Sequence, residues 1–262
     1  MKLPTLRYLP ATTDDGGVAV LSARDIAKYA GNPHILGLGE MMNFPGVLAD
    51  DPEILAKLAL FSHVDGLAQC LTGADLCRYV VHGIKTDHEY TSAEEAREKL
   101  RRGMHILMLE GEDAKDVAVL APVFNANMVS RCCFCTDDRH VDSLIQEGSI
   151  DHCIRVAIDA GMPENLALRM ATLSAAECLC LRDRGLIATD RVADFYILAD
   201  SKTFTIQQVL KDGFLQKKSR RHQYRHRIMY WRSPAGLRSK HILPFLQPVL
   251  HGLLAASFSV KL

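Results

Sequence analysis

Apolar segments of strand length alternate with segments of helical periodicity up to about residue 213, and this alternation constrains the fold more than any other feature. The predicted helices cover residues 51–62, 72–83, 92–103, 113–124, 150–160 and 164–181. Apolar runs such as 34–40 and 104–112 lie between them and are typical of strands. Strands and helices that alternate at this spacing favour a parallel sheet covered by helices. The sequence therefore predicts an α/β protein.

The predicted helix 92–103 has the clearest end signals. Ser92 is the expected N-cap, and Glu95, three residues later, is expected to complete a capping box. The helix 72–83 carries a similar signal, with Thr72 as its expected cap.

Polar residues stand at the carboxyl ends of five consecutive predicted strands. They are, in chain order, Glu40, Asp65, Asp87 with His88 and Glu89, Glu110, and Asp137 with Asp138. In parallel α/β folds, and in barrels especially, ligands bind at these strand ends. The general polarity of loops accounts for one or two such residues, but five in a row favour a shared site. Carboxylates and histidine together are ligands of divalent metals, so a metal site is the favoured interpretation.

Both ends of the chain bear on its cellular location. The amino-terminal segment lacks an apolar run as long as a secretory signal requires, so an intracellular, cytoplasmic protein is expected. The longest apolar region, 241–260, is interrupted by Pro244 and Pro248 and is a poor membrane span. We therefore expect no association with a membrane.

Eight cysteines are scattered through the chain without the pattern of a disulfide framework. Cys132 and Cys135 form a C-x-x-C pair within the apolar string "CCFC". A structural zinc site would need a second pair at suitable spacing, which the remaining cysteines do not provide. Two cysteines of this string are instead expected to point inward as small hydrophobic side chains.

The order and spacing of five strings resemble those of bacterial adenine deaminases, members of the amidohydrolase superfamily. The strings are "PATTDDGG", "LGLGEMMNFPGVL", "GIKTDHE", "CTDDR" and "GLIATDRVADFYIL", and they extend from about Leu9 to Gly213. The resemblance implies a partial (β/α)8 barrel of the TIM type, with about strands three to eight, followed by a remnant of a small β-sandwich. It also implies hydrolysis of adenine, the small-molecule substrate, to hypoxanthine and ammonia with divalent manganese or iron.

The resemblance also assigns roles to individual residues. Glu40 corresponds to the metal-bridging glutamate of the family, His88 to the histidine of its sixth strand and Asp137 to the aspartate of its eighth strand. These three residues are the implied metal ligands, and Asp137 and Glu40 are the implied catalytic residues. The implied substrate-binding residues are Glu89, Glu110 and Asp138. In that scheme the metal supplies hydroxide near neutral pH and Asp137 moves its proton.

The chain departs from the family pattern at the other histidine positions. No H-x-H pair occurs among the eleven histidines, and the resemblance places the start of the chain at about the third strand. Leu67 stands where the family has a metal-binding histidine on the fifth strand. His63 lies four residues earlier, roughly 13 Å away along a strand, so it is not expected to replace that ligand. A truncated and catalytically inactive remnant is therefore the alternative to an active deaminase.

Charge divides the chain near residue 213. Residues 214–262 contain ten Lys and Arg and no Asp or Glu, whereas the remainder carries 21 basic and 31 acidic residues. So sharp a change of composition marks a boundary. We therefore interpret 1–181 as the partial barrel, 182–213 as the return segment to the β-sandwich and 214–262 as a divergent basic tail, for which disorder is one expectation.

Nucleic-acid binding is the alternative function that the tail suggests. Its cations would contact phosphates, and Tyr224, Tyr230 and Trp231 would stack on bases. The abrupt loss of acidic residues where the family sequence would continue favours instead a segment without a selected role. No nucleic-acid partner is therefore expected, and assembly into a homo-oligomer is left open.

Overall fold

The computed structural model describes residues 21–201 and 203–216, and the backbone of two further strands at 7–9 and 258–259. The strands are β1 (Arg7–Leu9), β2 (Ile35–Met41), β3 (Val64–Gly66), β4 (Thr86–Asp87), β5 (His105–Leu109), β6 (Cys132–Cys135), β7 (Phe195–Asp200), β8 (Thr205–Lys211), β9 (Phe214–Leu215) and β10 (Phe258–Ser259). The α-helices are α1 (Ala23–Ala27), α2 (Phe44–Leu48), α3 (Pro52–Leu58), α4 (Gly73–Val81), α5 (Ala93–Arg101), α6 (Val117–Leu120), α7 (Val141–Gln146), α8 (Ile150–Asp159), α9 (Glu164–Arg169) and α10 (Ala175–Cys178). Short 3-10 turns lie at Ala121–Val123 and Val129–Arg131, and a π turn at Met170–Ser174 joins α9 to α10.

The strands β1 to β6 pair in parallel within two three-stranded sheets. The first sheet has the order β1-β2-β3 and the second the order β4-β5-β6, so the spatial order of strands follows the chain in both. Helices connect consecutive strands, as parallel pairing requires. The α/β class predicted from the sequence is therefore confirmed.

The two sheets meet at a seam between β3 and β4. Thr86 bridges this seam, because its hydroxyl accepts a hydrogen bond from the Gly66 N–H at 3.3 Å and donates one to the Asp65 carboxylate. A Cβ added at Gly66 would lie 2.5 Å from the Thr86 carbonyl oxygen. Glycine at this position therefore allows the ends of the two strands to approach each other closely.

The end signals of the helices were predicted in part. Ser92 caps α5, since its hydroxyl accepts a hydrogen bond from the Glu95 N–H. The predicted capping box is wrong, because the Glu95 carboxylate binds the Thr91 N–H and the buried ammonium of Lys99 instead. Thr72 stands at the N-cap of α4, but its side chain makes no capping hydrogen bond.

Two predicted helices are interrupted. The segment 113–124 contains only α6 and a 3-10 turn, because Pro122 cannot donate a hydrogen bond to the helix ladder. The segment 164–181 consists of α9, the π turn and α10. At the end of the π turn, the buried hydroxyl of Ser174 donates to the Val129 carbonyl at 2.6 Å.

Two clusters of buried apolar side chains hold the sheets and helices together. The first cluster includes Leu38, Met41, Val64, Tyr79 and Ile84. The second includes Ile106, Met108, Cys132, Phe134 and Met170. Neighbouring Cys132 and Cys133 are both buried although they point to opposite faces of β6. Strand β6 is therefore covered on both faces, as is typical of parallel sheets, and two cysteines of the string are buried as predicted, whereas Cys135 is half-buried.

A small antiparallel sheet follows α10. Strand β7 pairs with β8 and β8 pairs with β9, while β10 lies parallel to β7 at the other edge. Tyr196, Leu198 and Ile206 of this sheet pack against the second cluster. The change from parallel to antiparallel pairing coincides with the segment that was predicted to return to a β-sandwich.

Asp194 anchors the antiparallel sheet to the segment that precedes it. Its buried carboxylate binds the Lys211 ammonium at 2.6 Å and the Arg184 guanidinium at 3.3 Å. The same carboxylate accepts a hydrogen bond from the Asp212 N–H at 2.8 Å. One buried carboxylate thus joins the loop before β7 to the end of β8.

The predictions for the basic tail fall outside the described residues, apart from 214–216 and the backbone of β10. The domain boundaries at residues 181 and 213 stay predictions. Within the described ranges, the helices are all too short or too polar to cross a membrane.

Candidate metal centre

Three side chains meet at the carboxyl ends of the parallel strands. Glu40 lies near the end of β2, His88 directly follows β4, and Asp137 follows β6 by two residues. One ligand atom from each side chain lies within 4.8 Å of the others. The distance from His88 Nε2 to Glu40 Oε1 is 3.6 Å. Residues that are far apart in the sequence therefore form one cluster, which we call the metal centre.

The three side chains differ in exposure. The side chain of His88 is 5% exposed and that of Glu40 is 33% exposed, whereas Asp137 is open to solvent. Asp137 also has a φ of +37°, in the left-handed region where aspartate is more tolerated than most residues. Strained backbone of this kind is common at binding and catalytic sites. The cluster thus combines a buried imidazole with a carboxylate that a small molecule can reach.

The geometry of the metal centre suits one divalent ion. Ligand atoms at about 2.1 Å from a common ion lie at most about 4.2 Å from one another. The three ligand atoms lie within 4.8 Å of one another, about 0.6 Å beyond that maximum, and side-chain rotations can close this difference. Two carboxylates and an imidazole are a donor set that manganese, iron and zinc accept.

Tyr79 supports the end of β2 beside Glu40. Its buried hydroxyl donates a hydrogen bond to the Met41 carbonyl at 2.8 Å. Burial raises the pKa of Tyr79, and the nearby carboxylates of Asp87, Asp65 and Glu40 raise it further, so the hydroxyl keeps its proton. Helix α4, which carries Tyr79, therefore holds the strand end next to Glu40 in place.

Leu67 lies between the strands that carry Glu40 and His88. It directly follows β3, whose Gly66 is paired with Met41 of β2, and it is half-buried. The structure thus places this leucine at the strand end where the sequence pattern led us to expect a metal-binding histidine.

His63 lies at the opposite end of β3. Its carbonyl accepts a hydrogen bond from the Leu38 N–H at 3.0 Å. Its imidazole neighbours His105 at the start of β5, where burial, the Arg131 guanidinium and His63 together lower the pKa of His105 to about 4. His63 is therefore far from the carboxyl ends of the strands.

A buried ion cluster lies behind His88. The Lys99 ammonium is 2.9 Å from the Asp87 carboxylate and 2.7 Å from that of Glu95. Burial raises the pKa of Asp87, and the charge of Lys99 opposes this shift. Burial also acts to raise the pKa of Glu95, but hydrogen bonds from Lys99 and Thr91 outweigh it, so the pKa of Glu95 is lowered.

Glu89 and Asp138 occupy the loops around the metal centre. The half-buried Glu89 donates its N–H to the Asp87 carboxylate at 2.8 Å. Asp138 accepts hydrogen bonds from the N–H groups of Glu112 and Asp113 at 2.9 and 3.2 Å, and these bonds lower its pKa. Asp138 therefore ties together the loops after β5 and β6, and its contact with a substrate stays a prediction.

Glu110 is the buried carboxylate of the loop after β5. Its Oε1 lies 3.8 Å from His152 Nε2, while its Oε2 is buried and has no hydrogen-bond partner among the described residues. The buried guanidinium of Arg139 donates to the Glu110 carbonyl at 3.1 Å and pairs with the carboxylate of Glu147. Glu147 Oε2 in turn lies 3.6 Å from His152 Nε2.

The Glu110→Gln variant is expected to be more stable than the wild type at pH 7, by roughly 1 kcal/mol. Burial raises the pKa of Glu110 above 4.5. The charges of Lys115 and Arg139 and a hydrogen bond from the Val117 N–H oppose this shift, whereas Asp116 adds to it. Below pH 4.5 the carboxyl is protonated in both folded and unfolded chains, so the two proteins should be equally stable. The wild type then loses stability as the pH rises through the raised pKa.

Urea denaturation at pH 4 and pH 7 checks this expectation. A matched variant, Glu94→Gln, removes a carboxylate whose side chain is 80% exposed on α5. The unfolding free energy of this variant should equal that of the wild type at both pH values. A Glu110→Gln variant that is less stable than the wild type at pH 7 would show that the charged form is favoured in the fold.

Several polar residues of this region were not expected from the sequence. The many charged residues of α5 predict that Lys99 is exposed to solvent. In the structure Lys99 is buried on the same helix face as Ala96 and Glu95, which precede it by three and four residues. That spacing is the signal that sequence reasoning could have used. His152 and Arg139 carry no such signal for their contacts with Glu110, because Glu110 follows a different strand.

Comparison with known proteins agrees with the predicted family. Residues 18–215 match the amidohydrolase family. This match covers more than half of the chain, and the chain therefore belongs to the amidohydrolase family.

The similar curated proteins carry a more particular name. An adenine deaminase of Methanoregula boonei is 51% identical over 205 residues, which are 78% of this chain and 37% of that protein. An adenine deaminase of Methanoculleus marisnigri is 47% identical over 205 residues, covering 78% of this chain and 40% of the relative. One of Nitratidesulfovibrio vulgaris strain DP4 is 44% identical over 211 residues, with coverages of 79% and 37%. The resemblance to adenine deaminases is confirmed, and the chain spans about two fifths of the length of these relatives.

Proposed function

We propose that the chain acts in the metal-dependent hydrolysis of adenine to hypoxanthine and ammonia, a reaction of purine salvage. The observation that carries this proposal is the meeting of Glu40, His88 and Asp137 at the strand ends. The adenine deaminases with 44–51% identity support the choice of adenine as the substrate. A partial (β/α)8 barrel is part of the proposal, supported by two consecutive parallel sheets that touch at the seam.

Glu40, His88 and Asp137 would hold a divalent ion, and we propose manganese or iron. Such an ion, when bound, lowers the pKa of a water molecule and supplies hydroxide near neutral pH. Glu40 and His88 would hold the ion and, through it, the reacting water. The exposed Asp137 would accept the proton of that water on a carboxylate oxygen and pass it to the purine or the leaving amine.

Glu89, Glu110 and Asp138 are proposed to surround the purine. Glu110 suits a donor role, because its Oε2 is buried without a hydrogen-bond partner in the described part of the chain and because burial raises its pKa. A carboxyl that keeps its proton can donate a hydrogen bond to a ring nitrogen. Asp138 would act mainly by holding the loop of Glu112 and Asp113 in place.

A cytoplasmic location is also part of the proposal. All eight cysteines are free thiols, and four of them are buried. Thiols persist in a reducing compartment, which supports this location. Assembly into a homo-oligomer is left open, as it was by the sequence.

The direct test is ammonia release from adenine by the purified protein with added Mn²⁺. We expect turnover by the wild type and loss of turnover in the Asp137→Asn variant, which removes the proton acceptor. The Asp142→Asn variant, with its change on the nearby surface helix α7, is expected to keep the activity of the wild type. Absence of ammonia release by the wild type at every Mn²⁺ concentration would contradict the proposal and favour a catalytically inactive chain.

The Leu67→His variant is expected to bind Mn²⁺ about tenfold more tightly than the wild type. Leu67 follows β3 between the strands of Glu40 and His88, so an imidazole there would add a ligand to the metal centre. Tenfold corresponds to about 1.4 kcal/mol. Isothermal calorimetry with Mn²⁺ measures the difference, and Leu67→Phe serves as the control that adds a ring without a ligand atom. Equal affinity of the two variants would show that residue 67 points away from the ion.

A further inference from the structure

The ammonium of Lys99 lies where the turns after β3 and β4 meet. Its side chain is fully buried, and Nζ has four oxygen neighbours. Nζ donates hydrogen bonds to the Ala68 carbonyl at 3.0 Å, the Glu89 carbonyl at 2.8 Å and the Glu95 carboxylate at 2.7 Å. The fourth neighbour, Asp87 Oδ2 at 2.9 Å, completes an ion pair. An ammonium has three N–H donors, so all of its donors are used.

The contacts of Lys99 cross the seam between the two sheets. Ala68 belongs to the turn after β3, next to Leu67. Asp87 and Glu89 flank His88 after β4, so the residues on both sides of the candidate ligand are held by the same cation. The position of the His88 backbone is therefore fixed relative to the neighbouring strand end.

We propose that Lys99 is a positioning residue of the metal centre. By binding both neighbours of His88 and the turn after β3, it sets the imidazole of His88 opposite Glu40. This inference rests on the proposed function, because it concerns the same ion. A purely structural role of Lys99 would lower the stability of the fold without changing the affinity for the ion or the surroundings of the imidazole.

The test removes the ammonium without leaving two buried carboxylates unpaired. Replacement of Lys99 alone would be strongly destabilising, because it would leave the buried carboxylates of Asp87 and Glu95 without their cation. The E95Q variant keeps the ammonium, and the double variant E95Q/K99M removes it together with one carboxylate. Lys99→Arg keeps the charge but changes the geometry of its donors, and it provides a second variant should the double variant not fold.

Mn²⁺ affinity is the first readout, measured by calorimetry on variants whose circular dichroism shows a folded chain. We expect E95Q to bind Mn²⁺ within threefold of the wild type, and E95Q/K99M to bind at least tenfold more weakly. Arg102→Met is the matched control, because it removes a partly exposed ion pair with Glu98 next to the end of α5. It should not change the affinity. Affinities of E95Q and the double variant within threefold of each other would overturn the proposal.

The second readout needs no metal. In protein labelled with ¹³C-histidine, the Cε1–H resonance of His88 is assigned by its absence from a His88→Phe variant. This resonance should keep its position in E95Q and should shift or broaden in E95Q/K99M and in Lys99→Arg. An unchanged resonance in both variants that alter Lys99 would overturn the positioning role. A wild type that binds no Mn²⁺ would contradict the proposed function only, so the two failures are distinguishable.

Discussion

Replacement of His88 by phenylalanine is expected to lower the affinity of the protein for Mn²⁺ on the order of 100-fold, or about 2.7 kcal/mol. Phenylalanine keeps a planar ring of similar size in this buried position but offers no lone pair to an ion. The remaining ligands, Glu40 and Asp137, are carboxylates of which one is open to solvent. Two such ligands bind a divalent ion weakly. Calorimetric titration of Mn²⁺ into the purified variant measures the loss.

His82→Phe is the matched control for this variant. His82 is the C-cap residue of α4, and its imidazole lies 3.2 Å from the Asp50 carboxylate. We expect the affinity of this control for Mn²⁺ to equal that of the wild type. A His88→Phe variant that binds Mn²⁺ as tightly as the wild type would exclude His88 from the metal centre.

The Asp194→Ala variant is expected to lose about 3–5 kcal/mol of unfolding free energy. The Asp194 carboxylate is buried and binds Lys211, Arg184 and the Asp212 N–H. Its removal leaves the Lys211 ammonium and a backbone donor without their partner in a poorly solvated place. A loss of this size is a large part of the stability of a typical domain. Urea denaturation followed by circular dichroism gives the difference.

Asp183→Ala provides a control that shares one partner with Asp194. Asp183 binds the same Arg184 guanidinium at 3.0 Å, but its side chain is 54% exposed. An exposed ion pair contributes at most about 1 kcal/mol. Equal losses of unfolding free energy in the two variants would mean that the burial of Asp194 does not increase its contribution to stability.

The α/β class and the grouping of the candidate ligands could be predicted because both follow from regular spacing. Apolar runs that alternate with amphipathic helices require parallel strands, and parallel strands place their carboxyl ends on one edge. Glu40, His88 and Asp137 were therefore expected to be neighbours, and their ligand atoms lie within 4.8 Å. The assignment of these three residues as candidate metal ligands came from the motif resemblance to amidohydrolases, because the spacing alone does not give it.

The polar contacts behind the metal centre could not be predicted in the same way. Glu95 has the sequence signal of a capping box, but a buried cation on the same helix draws its carboxylate away from Ser92. Asp138 follows a strand like a site residue, yet its carboxylate is bound by two backbone N–H groups of the neighbouring loop. Such contacts depend on how separate loops approach each other, and the periodicity of the local sequence does not predict this.

An ion bound at the metal centre would also stabilise the seam between the two sheets. Glu40 belongs to the first sheet, whereas His88 and Asp137 follow strands of the second. Any opening of the seam separates the ligands, so an ion bound to all three favours the closed arrangement. By mass action, an ion at 100 times its dissociation constant would add about 2.7 kcal/mol to the stability of the protein. The protein loaded with metal should therefore also resist proteolysis at the turns after β3 and β4.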